Sequence, residues 1–140
     1  MKRSRKILLL LVVVALIATG YGFYLFRKKP ADVRKENAQY ELTVTGLLEE
    51  YNKDETAANQ KYLDKVIVVK GKVAEIKTEQ DGQTTVVLEG GDPLASVICS
   101  FYEDEINTVK KLNKGELVLI KGKCTGKLMD VVLNRCSIQH

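Results

Sequence analysis

Residues 65–77 read Lys-Val-Ile-Val-Val-Lys-Gly-Lys-Val-Ala-Glu-Ile-Lys, and their alternation decides the fold. Polar and apolar side chains recur with a period of two, as on a half-buried β-strand. Lys70 and Lys72 point outward, which turns Val69, Gly71 and Val73 inward. Glu75 and Lys77 also point outward, which turns Ala74 and Ile76 inward. The phase therefore slips once between Lys72 and Glu75. A bulge or bend near residues 71–74 does this, and it lets one long strand serve two parts of a curved sheet.

Downstream, Asp81-Gly82 is a hairpin signal. Thr84, Val86 and Leu88 then alternate on a second strand, and Gly90-Gly91-Asp92-Pro93 forces a turn. A third strand is predicted over about residues 95–102, with Val97, Cys99 and Phe101 on one face. Glu103-Asp104-Glu105 opens a short helix with Ile106, Val109 and Leu112 inward; Lys110 and Lys111 close it and Gly115 stops it. A fourth strand follows over 116–124, a turn over 125–127 and a fifth strand over 129–138. The order β-β-β-α-β-β, with a bent first strand, predicts an all-β domain with accessory helices: a five-stranded Greek-key barrel, the OB-fold. An SH3-like barrel is the rival, and it lacks a helix at that point.

Upstream of the strands, residues 45–62 carry Leu47, Leu48, Tyr51, Ala58 and Tyr62 at helical spacing. Thr45 is the expected N-cap, with Asp54 as the cap of a second short helix in the alternative reading. This helix precedes the barrel as a lid or brace. Residues 30–42 are polar and mixed in charge, and read as a tether.

Residues 7–26 are an uncharged apolar run, preceded by Lys2, Arg3, Arg5 and Lys6 and followed by Arg27, Lys28 and Lys29. Twenty helical residues span about 30 Å, the thickness of a hydrocarbon core. A single transmembrane helix is expected, with Tyr21, Phe23, Tyr24 and Phe26 against the second basic cluster as an interfacial belt. Ala18-Thr19-Gly20 is a passable cleavage site, so a cleaved signal and a secreted domain form the alternative. The organisation expected is thus 1–29 anchor or uncleaved signal, 30–42 tether and 43–140 barrel domain. The positive-inside rule favours a cytoplasmic N-terminus and an exported barrel.

The net charge of +4 misleads. Residues 1–30 hold seven basic and no acidic side chains; taking those seven from 22 leaves 15 basic against 18 acidic, a net of −3 beyond residue 30. A mildly acidic domain weakens the case for non-specific polyanion binding. Cys99, Cys124 and Cys136 form no C-x-x-C pair, and the one histidine is His140. No metal site is expected from that set. In an oxidising compartment two of the three cysteines can pair, with Cys124–Cys136 as the candidate disulfide. The bland reading is three small apolar core residues.

The motif order is more specific than any single motif. Asp54-Glu55 and Ala57-Ala58-Asn59-x-Lys61-Tyr62-x-x-Lys65 lead into Val69-x-Gly71-x-Val73. Val97-x-Cys99-x-Phe101, Leu112-x-x-Gly115 and Lys121-Gly122-x-Cys124-x-Gly126 follow, then Asp130-Val131-x-Leu133-x-x-Cys136. Over about residues 40–139 the chain resembles the tRNA_anti-like family of bacterial OB-fold proteins. That resemblance implies the barrel and an N-terminal anchor or signal, hence a barrel on the periplasmic side of a bacterial inner membrane, but no catalytic residue; the family's cysteine positions match the three here.

No enzyme and no cofactor are expected. Asp54, Glu55, Glu103, Asp104 and Glu105 read as helix-start charges, and Gly90-Gly91-Asp92-Pro93 precedes no helix that would make it a phosphate loop. The expected function is a binding module for a protein, peptide or glycan at the membrane surface. OB-folds bind across strands two and three and the loops one–two and four–five. Here that selects Lys77, Gln83, Thr85, Val87, Ser96, Ser100, Tyr102 and Lys127. The alternative ligand is an oligonucleotide, held by a patch of Lys70, Lys72, Lys121 and Lys123 on strands one and four, with Tyr102 as the one tenable stacker.

Overall fold

The computed structural model describes residues 2–28 and 30–140. These form two compact units, one ending at Ala31 and the other spanning Asp32–His140. The first unit is α1 (Lys2–Arg27). Within Arg3–Arg27 an 18-residue window reaches a mean hydropathy of 2.4 and buries nothing, which qualifies the helix by length and composition to cross a membrane. The Arg27 guanidinium sits 5.0 Å from the Phe23 ring centroid, so the basic flank folds back over the aromatic end of the helix.

The second unit begins with β1 (Tyr40–Thr43), α2 (Val44–Lys53) and α3 (Glu55–Tyr62). The barrel follows as β2 (Val66–Thr78), β3 (Thr84–Glu89), β4 (Ser96–Phe101), β5 (Leu117–Lys127) and β6 (Val131–Gln139). A short 3₁₀ turn (Glu103–Glu105) and α4 (Ile106–Val109) lie between β4 and β5. The ladder runs β2-β3-β4-β6-β5 and closes through β2–β5. Within the barrel all pairs are antiparallel except β4–β6. This is the five-stranded closed OB barrel expected from the strand order.

The phase slip in β2 is a register shift between Val73 and Glu75. Lys72 and Val73 before it and Glu75 to Thr78 after it pair with β3, while Val66 to Lys72 pair with β5 on the other edge. One bent strand thus closes the cylinder on both sides. Inward-facing Ile67, Val69, Val73, Val86, Leu88, Val97, Cys99, Val118, Ile120, Val131 and Leu133 fill the barrel. Leu47, Leu48, Tyr51, Ala58 and Tyr62 join that same core from α2 and α3.

Several boundaries differ from the sequence reading, among them the turn expected over residues 125–127, which belongs to β5. Thr43, not Thr45, caps α2: its hydroxyl accepts from Gly46 N at 3.1 Å, while Thr45 donates to the Gly90 carbonyl at 3.2 Å. The helical segment breaks at Asp54, as in the alternative reading; its carboxylate accepts from Ala57 N at 3.0 Å and starts α3. Finally, residues 32–42 are not a tether. β1 pairs in parallel with β2 from Ile67 to Lys70, along the part of that edge β3 does not reach. An exposed edge leaves N–H and C=O groups unpaired, and β1 satisfies them. Val33 is only 1% exposed, and Val66 and Val68, phased to the outside of β2, are buried as well.

β5 and β6 approach closely at Gly122. A Cβ there would lie 2.6 Å from Cys136 Sγ and 3.2 Å from Leu133 Cβ. Gly122→Ala is therefore expected to destabilise the barrel by about 1–3 kcal/mol through overpacking. Urea denaturation followed by circular dichroism measures it, and an unchanged midpoint would show that the two strands have slack.

Candidate ligand face and its strap

The outer face of β3, β4 and β6 is built by cross-strand neighbours. Thr85 lies opposite Ser100, Val87 opposite Ile98, and Ile98 opposite Val132. All five are half-buried. Together they make a row of hydroxyl and β-branched side chains with neither charge nor aromatic ring. Ser96, predicted for the same face, has another task. Its N–H and hydroxyl both donate to Asp130 Oδ1, at 3.1 and 2.7 Å, and so lock the start of β4 to the loop before β6.

The flanking loops divide the remaining predicted residues. Gln83 is exposed at the β2–β3 hairpin, where its N–H donates to Asp81 at 3.0 Å. Lys77 lies exposed on β2, 3.2 Å from Glu75. Lys127, at the other loop, donates to Asn52 Oδ1 at 2.7 Å and ties that loop to α2.

Tyr102 is not an open stacking platform. Its hydroxyl accepts from Val33 N at 3.1 Å, and the Arg34 guanidinium covers its ring at 4.5 Å. Arg34 is itself held by Asp32 at 2.9 Å and by Asp104 at 2.5 Å. The hydrogen bond from Arg34 pulls the Asp32 carboxyl below its usual value. Bonds to Asp32 and then Asp104 raise Arg34 further above neutrality. Residues 32–34 form a strap across this corner of the barrel. Beside it lies an open cleft of about 910 Å³, lined by Asp81, Gln83, Tyr102, Glu103, Asp104 and Ile106. Its three carboxylates repel a phosphate backbone.

The lysine patch does not assemble. In the β2–β5 register Lys70 faces Leu119 and Lys72 faces Leu117, whereas Lys121 faces Val68 and Lys123 faces Val66. The two pairs are therefore staggered along the strands. Lys121 is only 8% exposed and donates to the Arg34 carbonyl at 3.2 Å, under the strap. Lys123 lies 3.6 Å from Asp64. Only Lys70 and Lys72 of the four are exposed. Sequence pattern gave both lysine pairs the same face but not the register between them.

The Cys124–Cys136 bridge is likewise corrected: all three cysteines are free and buried. Cys124 lies opposite Leu133, and its sulfur is 3.5 Å from Tyr51 Oη. Cys136 donates to the Leu133 carbonyl at 3.4 Å and neighbours Cys99 instead. Burial, then the Cys99 contact, push the Cys136 thiol well above the ordinary 9.0. Burial raises the Tyr51 phenol too. Below about pH 7.5 these groups are protonated in both folded and unfolded chains. Above it the unfolded chain ionises first and binds fewer protons, so stability falls as pH rises. The urea midpoint is expected to drop between about pH 7.5 and about pH 10.5. Cys136→Ala should make that drop shallower; an identical slope would remove the thiol from the account.

A closed barrel with this strand order and interstrand helix defines the OB-fold class. The chain belongs to the tRNA_anti-like family, whose sequence profile matches residues 1–138. No curated protein matches the sequence. Among solved structures, a Klebsiella pneumoniae lipoprotein provisionally described as nucleic acid-binding is similar at TM-score 0.60 and 16% identity. That similarity covers 80% of this chain and all of the lipoprotein. A replication factor A related protein from Methanobacterium thermoautotrophicum is similar at TM-score 0.41 and 16% identity, over 55% of this chain and 83% of that one. An Entamoeba histolytica asparaginyl-tRNA synthetase is similar at TM-score 0.42 and 15% identity. There the overlap is 54% of this chain and only 20% of the synthetase. At 16% identity the likeness to the lipoprotein speaks to the fold alone.

Proposed function

We propose that this chain is a non-enzymatic binding module displayed at the outer face of a bacterial inner membrane, with a protein or peptide as its ligand. The observation that carries the reading is the outer row Thr85, Val87, Ile98, Ser100 and Val132, which joins three strands without charge or ring. Partly exposed β-branched side chains flanked by hydroxyls suit an apolar peptide stripe with polar edges. Nucleic-acid barrels need a basic groove and bare aromatics. Here Lys121 is buried, Tyr102 is covered and the neighbouring cleft is acidic. The apolar, unburied α1 with its basic flanks supports the membrane setting.

Two measurements test this reading. A reporter fused to the C-terminus is expected to be active only in the periplasm; cytoplasmic activity would remove the exported module. A photo-crosslinking residue at Val87 in intact cells is expected to trap a discrete partner that Ile98→Asp abolishes, while one at exposed Lys114, between α4 and β5, traps none. Oligonucleotide binding is the alternative, supported by exposed Lys70 and Lys72. It requires salt-sensitive binding of short single strands by the detergent-solubilised chain, lost in Lys70→Glu with Lys72→Glu.

A further inference from the structure

The end of the barrel away from Tyr102 carries three large apolar side chains held almost fully in solvent. Leu94 is 89% exposed, Leu128 92% and Met129 86%. They come from two loops, residues 90–95 and 128–130. The loops are neighbours, because Val97 pairs with Val131 and Ser96 donates twice to Asp130. Both are also internally braced. Asp92 accepts from Leu94 N at 2.9 Å through its side chain and from Ala95 N at 3.2 Å through its carbonyl. Leu128 N donates to the Asp130 carbonyl at 3.2 Å. The apolar groups are thus presented by ordered turns, and Asp92 and Asp130 point their carboxylates at backbone N–H groups.

Single exposed leucines need no explanation, but three on one braced tip do. We propose that this double-loop tip inserts into a lipid bilayer, a second membrane contact beyond the N-terminal span. The proposal rests on the membrane setting proposed above. Exposure near 90% means that the side chains stand out on a convex point rather than line a groove. A bilayer accepts a convex apolar point directly, whereas a protein partner must supply a matching pocket. Insertion of such a surface reaches about 5–10 Å into the headgroup–acyl boundary. Lys127, adjoining Leu128, would keep its ammonium at headgroup level.

The chain contains no tryptophan, so Leu128→Trp in the full chain supplies a single reporter. It is reconstituted into phosphatidylcholine–phosphatidylglycerol vesicles whose acyl chains carry bromine. The expected result is a blue-shifted emission, strongly quenched by bromolipid. Gln83→Trp, at the hairpin beyond the other end of β3, should stay unshifted and unquenched. Adding Leu94→Asp and Met129→Asp should remove the quenching at position 128 without releasing the chain into carbonate. If the chain resists carbonate and Leu128→Trp is nevertheless unquenched, the tip proposal falls alone. If carbonate extracts the chain, the membrane setting falls and takes the tip with it. A blue shift that depends on protein concentration and persists in unbrominated detergent would identify a second copy as the occupant and overturn the proposal.

Discussion

Tyr51→Ala is expected to cost the barrel about 3–5 kcal/mol, the range for deleting a buried aromatic side chain. Tyr51 is fully buried where α2 meets the open end of the cylinder. Its ring lies 6.3 Å from Tyr62, which lies 5.1 Å edge-on from Tyr40. Removing it leaves a void between α2 and both α3, at Tyr62, and β5, at Cys124. A loss of that size is a large fraction of the roughly 5–15 kcal/mol that stabilises a domain. Tyr51→Phe keeps the packing and loses only the contact to Cys124, so about 0.5–1 kcal/mol is expected. Urea titrations of both variants in detergent measure the difference. If Tyr51→Ala cost no more than Tyr51→Phe, the two helices would be an appendage rather than the plug of the barrel.

The second large effect is at Lys121. Its ammonium is buried beneath the strap and donates to the Arg34 carbonyl. Lys121→Glu sets a carboxylate against that carbonyl oxygen in a site that excludes most water. The expected cost is about 3–5 kcal/mol, as for a buried charge without its partner. Residues 32–36 should then become cleavable by protease, because the strap loses its central anchor. Lys121→Met keeps the stem and drops the charge, so the loss is expected nearer 1 kcal/mol. Arg34→Ala should cost less than Lys121→Glu, since the Arg34 ion pairs are solvent-screened. Were Lys121→Glu as stable as the parent, the strap would be unimportant to the fold. The same logic governs any nucleic-acid assay: loss of binding in Lys121→Glu would report unfolding, while Lys70→Glu with Lys72→Glu leaves the core alone.

Much of this architecture was legible in one dimension. The alternation in residues 65–77 predicted the long strand, and the three-residue step from Lys72 to Glu75 predicted the bulge found between Val73 and Glu75. Turn residues at Asp81-Gly82 and Gly90-Gly91-Asp92-Pro93 separated the next strands correctly. The helix between the third and fourth barrel strands selected the OB topology. Less was legible at the candidate site. Thr85, Ser100 and Val87 share the expected face, but Ser96 is bonded to Asp130 and Tyr102 lies under Arg34. Nothing local announces the strap: Val33 and Arg34 meet Tyr102 and Asp104 across 69 and 70 residues of chain.

The amino-acid sequence alone determined the membrane-compatible helix, the strand order, the inward set of each strand and the place of the bend. Each follows from side-chain periodicity and turn chemistry, which act over a few residues. Tertiary structure alone decided that β1 completes the edge of β2 and that residues 32–34 close over Tyr102. It also decided that the lysines of β2 and β5 are staggered, and that Cys136 neighbours Cys99 rather than Cys124. Those outcomes depend on cross-strand register and on docking between distant segments. The period of a strand says which face a side chain takes, but not which residue of the next strand will stand beside it.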